Sequence, residues 1–246
     1  MNVYKTLQIG EFHTLYCEDF LLSENISNKR KLIAVLDGCT MGKESVFASI
    51  LYGKILRTIA NKEYYKEFVS KQTAETSLND TLKNVLNELF FEVKKVQQQL
   101  DLSKHELLST LILGIVDTDT KNAEFIVIGD GLVVCNGQTY DFEQEDKPDY
   151  LGYHLQEDFE KWYLNQDQKL SFTECYDISI ATDGVFTFKN LKSAAKQRSE
   201  EELIQYLLVS TDGNEFENML DRKIKKLRDD ENLVVTDDLA IVRVVL

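Results

Sequence analysis

Lys31-Leu32-Ile33-Ala34-Val35-Leu36-Asp37-Gly38 is the stretch on which the fold turns. Lys31 to Leu36 reads as a buried strand: an apolar run with β-branched members and a turn signal directly behind it. Asp37 stands where that strand stops, and Gly38 frees the backbone to turn. The arrangement recurs in Ile178-Ser179-Ile180-Ala181-Thr182-Asp183-Gly184. At the opposite end of a strand, Asp237-Asp238 opens Leu239 to Val244, and Glu18-Asp19 adds an acidic pair near the N-terminus. Four acidic stations at strand edges are a way to gather oxygen ligands for hard cations.

Whole-chain composition narrows the choice. The 246 residues, 43% hydrophobic and 10% aromatic, are enough for a real core, and one domain over residues 1–246 is expected. Lys plus Arg number 28 against 42 Asp plus Glu, a net charge of −14. Such a chain repels nucleic acid and anionic membrane surfaces, so neither is an expected partner. For a phosphate ester to be handled, something local must reverse the sign of the field, and bound divalent metal would do that. Cys17, Cys39, Cys135 and Cys175 are scattered without CxxC spacing and read as free thiols. The start Met1-Asn2-Val3-Tyr4-Lys5 lacks a signal-segment pattern, and no apolar run reaches the ~18 residues of a membrane span. A cytoplasmic monomer is expected.

Along the chain, Val3 to Ile9 predicts an edge strand. Phe12 to Leu22 then leads, through a polar turn over Ser23 to Arg30, into the Asp37 strand as a hairpin. Val46, Ile50, Leu51, Ile55, Leu56 and Ile59 recur at helical spacing and predict a helix to about Ala60. Asn61 to Thr76 is polar with Tyr64, Tyr65 and Phe68, and partial helix is expected there. A second amphipathic helix is predicted over Leu78 to Leu100, with Ser77 or Asn79 as its cap. Leu111 to Val116, Ala123 to Ile128 and Leu132 to Cys135 read as strands joined by tight turns, which implies antiparallel pairing. Phe142 to Leu170 is the least regular part. Glu200 to Leu208 and Phe216 to Leu227 predict helices, and Leu239 to Leu246 a closing strand.

A single Asp at a strand end is usually a turn residue, so Asp37-Gly38 and Asp183-Gly184 are each weak evidence alone. Their repetition, with Asp237-Asp238 as a third station, points to chemistry. Clustered carboxylates repel one another unless a cation compensates. With only His13, His105 and His154, an HExxH zinc site is excluded, and neither a GxSxG elbow nor a GK[ST] phosphate loop is present.

Taken in order, Glu18-Asp19, Val35-Leu36-Asp37-Gly38, Ser109-Thr110, Gly129-Asp130-Gly131, Ala181-Thr182-Asp183-Gly184 and Thr236-Asp237-Asp238-Leu239 resemble the metal-dependent protein phosphatase 2C family, as a divergent bacterial-type member. The resemblance runs from about Gly10 to Leu246. It implies an α+β fold, a four-layer α/β/β/α sandwich of two antiparallel sheets flanked by helices. It also implies a binuclear Mn2+ or Mg2+ site, with Asp37 bridging the two ions and the Gly38 carbonyl on one of them. Asp183 and Asp237 would hold one metal, Glu18 and Asp19 would support the other, and Asp130 matches a position that can bind a third. The implied activity is hydrolysis of phosphoserine and phosphothreonine in a phosphorylated protein by metal-activated water.

Three departures from the family pattern stand out. The phosphate-binding arginine, five residues before Asp19, is Thr14, with His13 beside it as the other substitute for substrate binding. Cys39-Thr40-Met41-Gly42 replaces a glycine-rich continuation, and Gly131 replaces a serine. The departures leave an alternative, a catalytically weak or inactive regulatory module that retains metal binding. Leu36-Asp37-Gly38-Cys39-Thr40 superficially resembles a haloacid-dehalogenase nucleophile motif, but that motif needs a carboxylate where this chain has Val35, and it sits on a parallel sheet. Acidic runs such as Glu143-Gln144-Glu145-Asp146 read as solvated surface.

Overall fold

The computed structural model describes residues 1–39, 41–70, 76–143, 148–192 and 197–246. Thr40 and most of the acidic run after Glu143 therefore lie outside the described residues. β3 (Arg30–Leu36) pairs with β2 (Phe20–Asn25) on one side and β4 (Leu111–Asp117) on the other. β5 (Ala123–Ile128) and β8 (Lys169–Phe172) complete this antiparallel sheet in the order β2-β3-β4-β5-β8. A second antiparallel sheet runs β1-β12-β9-β6-β7, built from β1 (Asn2–Gln8), β6 (Gly131–Cys135), β7 (Gln138–Phe142), β9 (Asp177–Ala181) and β12 (Leu239–Val245). β10 (Phe188–Asn190) and β11 (Leu233–Val235) form a small separate pair.

Strand alternation explains the layers. Leu32, Ala34 and Leu36 of β3 point to one side, where they pack with Tyr52, Leu56, Leu86 and Leu89 of α1 (Phe47–Ser70) and α2 (Leu78–Leu100). Ile33 and Val35 point the other way and meet Val133, Ile178, Ile180, Ala240 and Val242 from the second sheet. That sheet turns Leu132, Val134, Leu239 and Ile241 outward onto α5 (Glu200–Ile204) and α6 (Met219–Glu231). Both faces of both sheets are covered, which is why β3, β4 and β6 read as continuous apolar runs. Each buried Ile, Val or Leu contributes about 1.5–3 kcal/mol relative to exposure. The result is the four-layer α/β/β/α sandwich that the family resemblance implies.

Several boundaries differ from the reading of the sequence. β2 extends to Asn25, so the hairpin turn shrinks to residues 26–29, closed by the Ile26 amide on the Arg30 carbonyl at 3.0 Å. α1 continues to Ser70, although its apolar stripe (Ala48, Tyr52, Leu56, Ile59) stops near Ala60 and leaves Phe68 exposed. Ser77 caps α2, accepting from the Asp80 amide. The irregular segment holds two short helices, α3 (Leu151–His154) and α4 (Phe159–Leu164), seated by Phe159 and Trp162 against Phe90 of α2. The helix after Glu200 changes to a π-turn over Gln205–Val209. Buried Lys223 and Arg243 donate to the carbonyls of Tyr206, Val209 and Ser210 there. Among the described residues no helix is long and apolar enough to cross a membrane.

The chain passes repeatedly between the sheets. Residues 9–19 lead from β1 to β2, and Gly129-Asp130 leads from β5 to β6, so the last two strands belong to different sheets rather than to one meander. Both passages lie at the same pole of the sandwich as the ends of β3 and β9.

Candidate metal centre

Register puts the acidic stations together. Phe20, which follows Asp19, pairs with Leu36, which precedes Asp37. Ala181, two residues before Asp183, pairs with Ile241 of β12 and with Leu132 of β6, so Asp183, Asp237 and Asp130 emerge at one edge of the second sheet. A side-chain bond joins the two sheets' stations: the Thr182 hydroxyl donates to Asp19 Oδ2 at 2.6 Å.

The backbone around each station is fixed. Asp37 donates its amide to Thr110 Oγ1 at 3.2 Å, and its carbonyl accepts from the Thr110 amide at 2.9 Å. Gly38 donates to the Glu18 carbonyl at 3.2 Å, and a Cβ there would lie 2.3 Å from the Ser45 carbonyl oxygen. Gly184 is similarly confined, since a Cβ would fall 1.8 Å from the Asp238 carbonyl oxygen. Thus Asp37-Gly38 and Asp183-Gly184 need glycine for close approach, with no demand for an unusual backbone angle.

Buried Asp238 organises the N-terminal loop. Its Oδ1 accepts from the Gly10 amide at 2.8 Å and its Oδ2 from the Glu18 amide at 2.5 Å. The His13 ring sits between two acids, Nδ1 2.9 Å from Asp238 Oδ2 and Nε2 3.3 Å from Asp237 Oδ1. Burial pulls the His13 pKa down, but Asp238, Asp237 and Glu18 outweigh it and the net direction is up. Asp237 is half exposed, while its neighbour Asp238 is enclosed. Glu18 is partly buried and Thr14 is exposed.

The carboxylates load one another. Burial, followed by the charges of Asp183 and Asp238, pushes Asp19 up to about 8, against the pull of the Thr182 hydroxyl and Asp37. Burial, Asp19 and Asp183 hold Asp37 well above the usual carboxylate range. Burial, then Asp130 and Asp237, raises Asp183 to about 7, and burial raises Asp130. Such a cluster retains protons near neutrality or calls for a cation.

Carboxylate oxygens of this kind suit a hard divalent ion. Asp19 Oδ1 is buried with no hydrogen-bond partner, which leaves an acceptor turned into the cluster. Among the described residues no three Asp, Glu, His or Cys side chains form a ready-made cation cage, so the acids face one another without closing on a single point. The residues thus fit a metal by donor chemistry and by charge, and not by a closed arrangement of ligands.

The Cys17 thiol beside the cluster is not poised as a thiolate. Burial, with Asp19 and Asp238 next, pushes Cys17 up to about 12, and its Sγ lies 3.5 Å from the Gln8 carbonyl. Cys39 is buried against Leu108 and Tyr150. Thr110, Thr182 and Asp238 stand within the motifs of the sequence, but the bonds they make do not show there. Thr110 holds the Asp37 backbone, Thr182 the Asp19 carboxylate and Asp238 the Gly10 and Glu18 amides, all across distant segments that leave no local spacing to read.

Comparison with known proteins bears on this arrangement. The protein phosphatase 2C family profile matches residues 13–234. No curated protein sequence matches the chain significantly. Among solved structures, a point variant of a bacterial serine phosphatase is 15% identical with a TM-score of 0.64, covering 100% of this chain and 98% of its own. The phosphatase domain of SpoIIE from Bacillus subtilis, with part of its regulatory domain, is 14% identical with a TM-score of 0.55, covering 98% of this chain and 62% of that one. RsbX in complex with magnesium is 13% identical with a TM-score of 0.53, over 98% and 92%.

Proposed function

This chain belongs to the protein phosphatase 2C family, and on that premise we propose that it is a metal-dependent phosphatase of phosphoserine and phosphothreonine in proteins, acting in the cytoplasm. The observation that carries the reading is the gathering of Asp19, Asp37, Asp130 and Asp183 at one pole, where burial and the charges of neighbouring carboxylates raise Asp19, Asp37 and Asp183. Asp37, Asp183, Asp237 and the Gly38 carbonyl would hold two Mn2+ or Mg2+ ions, with Glu18 and Asp19 in support and Asp130 available to a third. When bound, the ions supply Lewis acidity and a water made nucleophilic at neutral pH. The magnesium carried by the RsbX structure supports a hard ion of this kind.

The protein's own residues do the positioning. Thr110 sets the backbone of Asp37 from both its amide and its hydroxyl, and Thr182 fixes Asp19. His13 retains its proton to higher pH than a free histidine, because Asp238 and Asp237 flank it. With Thr14 where the family places arginine, His13 is the cation of that segment and the residue we assign to the substrate phosphate, with Thr14 as its neighbour.

A second reading has a specific observation behind it. Both ring nitrogens of His13 face carboxylates, which leaves no arginine-like fork for phosphate. A regulatory module that binds metal without turnover would need no such fork.

Hydrolysis of p-nitrophenyl phosphate and of a phosphothreonine peptide, with manganese, with magnesium and with chelator, tests both readings. Metal-dependent turnover lost in Asp37→Asn and Asp183→Asn supports the phosphatase. Absence of turnover, with calorimetric manganese binding that Asp37→Asn abolishes, supports the module. Failure to bind any divalent ion overturns the site itself.

A further inference from the structure

At the pole away from the acidic stations, two cysteines forty positions apart in sequence bring their sulfurs to 3.3 Å. Cys135 ends β6 and points, like Val133, into the space between the sheets. Cys175 lies in the passage from β8 to β9 and joins the same inter-sheet cluster. Both are buried free thiols. We propose that Cys135 and Cys175 are a redox pair that peroxide closes to a disulfide, tying the end of β6 to the passage leading into β9.

The surroundings hold the pair in register. The Cys175 amide donates to the Lys121 carbonyl at 2.7 Å. Asn136, next to Cys135, clamps the passage on both sides of Cys175. Its side-chain amide donates to the Glu174 carbonyl at 2.8 Å, and its Oδ1 accepts from the Tyr176 and Asp177 amides at 2.9 and 3.1 Å. Its own amide donates to the Asp177 carbonyl at 2.8 Å. Two apolar fillers would need no such clamp. The sulfurs also differ in character. The contact with Cys175 holds Cys135 below the ordinary thiol range, while the same contact and burial push Cys175 far above it. Cys135 is 6% exposed and Cys175 fully buried, so the more acidic thiol is also the one a small oxidant reaches first.

The step balances with hydrogen peroxide as oxidant. The Cys135 thiolate attacks one peroxide oxygen and the O–O bond breaks. The sulfur becomes a sulfenic acid, and the hydroxide released takes up the Cys135 proton to leave as water. Cys175 sulfur then attacks Cys135 sulfur, the S–O bond breaks, and a second water leaves with the Cys175 proton. Two thiols are oxidised by two electrons and one peroxide is reduced to two waters.

Peroxide treatment of the folded full-length protein, alkylation in denaturant and peptide mapping without reductant tests the proposal. The expected product has lost two hydrogens and carries one disulfide between the peptides of Cys135 and Cys175. Dithiothreitol reverses it, and Cys17 and Cys39 are recovered alkylated. Because the bridge closes a loop of about 40 residues, its Tm rises by several degrees. In Cys175→Ser, dimedone labels Cys135 as the trapped sulfenic acid. If that variant does not fold, the wild-type map still decides. Recovery of Cys135 and Cys175 as alkylated thiols under excess peroxide, or bridges to Cys17 or Cys39 in their place, overturns it.

Discussion

Thr182 and Asp19 are joined across the two sheets by a hydroxyl-to-carboxylate bond of 2.6 Å. The same hydroxyl accepts from the Ala240 amide at 2.9 Å, so one small side chain couples the station just before β2 to the strand that follows Asp237-Asp238. Thr182→Val keeps the shape and removes both bonds. A hydrogen bond contributes about 1 kcal/mol net, so with two removed the expected loss of unfolding free energy in urea is about 2 kcal/mol. Thr182→Ser is expected to recover most of it. Equal stability of the valine variant and the wild type would show that the bond is incidental.

Chelated protein is expected to lose stability as pH rises. Asp19 and Asp183 have folded pKa values of about 8 and about 7, above the ordinary 3.8. Groups raised on folding contribute stability that is complete below the ordinary value and fades as pH climbs through the folded one. With chelator, these two acids should therefore pull Tm down between about pH 4 and about pH 8, and manganese should raise it most at the alkaline end. Asp37→Asn removes one buried acid, so its chelated Tm at neutral pH should exceed that of the wild type. A chelated Tm that is flat or rising over this range would contradict the mutual loading of these acids.

His154 gives a second pH signature from a different place. Its Nε2 lies 2.7 Å from Asp149 Oδ1 and its Nδ1 2.7 Å from Glu157 Oε1. Burial lowers its pKa, but the two acids more than offset this and hold it above 6.5. Its contribution is complete below 6.5 and is lost as pH rises through the folded value. His154→Gln should flatten this part of the stability curve while leaving manganese binding intact. A curve unchanged by the substitution would remove His154 as the cause.

Arg243 is fully buried and forks onto Asp177, Nε to Oδ1 at 2.9 Å and Nη2 to Oδ2 at 2.6 Å. Its remaining donors hold the Ser210 and Val209 carbonyls at the end of the π-turn. Lysine keeps the charge but cannot reproduce the fork. Arg243→Lys is expected to cost about 3 kcal/mol in urea unfolding, the scale for breaking a buried pair. A shift below about 0.5 kcal/mol, the scale of ordinary surface substitutions, would mean that the carbonyls find other donors.

Much of this was legible because apolar patterning is local. The strand before Asp37, the helix Leu78 to Leu100 and the order of the acidic stations all come from runs or spacings within a few residues. The irregular segment was harder to read. Phe159, Trp162 and Tyr163 have helical spacing, but the helix they make is short and depends on Phe90 of α2 for its seat. The passage at Gly129-Asp130 looked like one more hairpin, because a turn between sheets and a turn within one use the same residues. Thr182 with Asp19, Cys135 with Cys175 and Arg243 with Asp177 are pairs fixed by tertiary placement, and nothing in their neighbourhoods announces them.

The interleaving of the two sheets has a kinetic consequence. One sheet takes β1, β6, β7, β9 and β12, and the other takes β2 to β5 and β8, so the second holds two local hairpins, β2-β3 and β4-β5, against the single hairpin β6-β7 of the first. The first must bring Asn2 opposite Val245 and then slot β12 between β1 and β9. Loop-closure entropy makes such distant pairing slow. Refolding should thus proceed in unequal stages, with the β2–β5 half ordering first. Asp183, Asp237 and Asp238 are then the last acids to arrive, and the proposed cation site would be complete only when the final strand has docked.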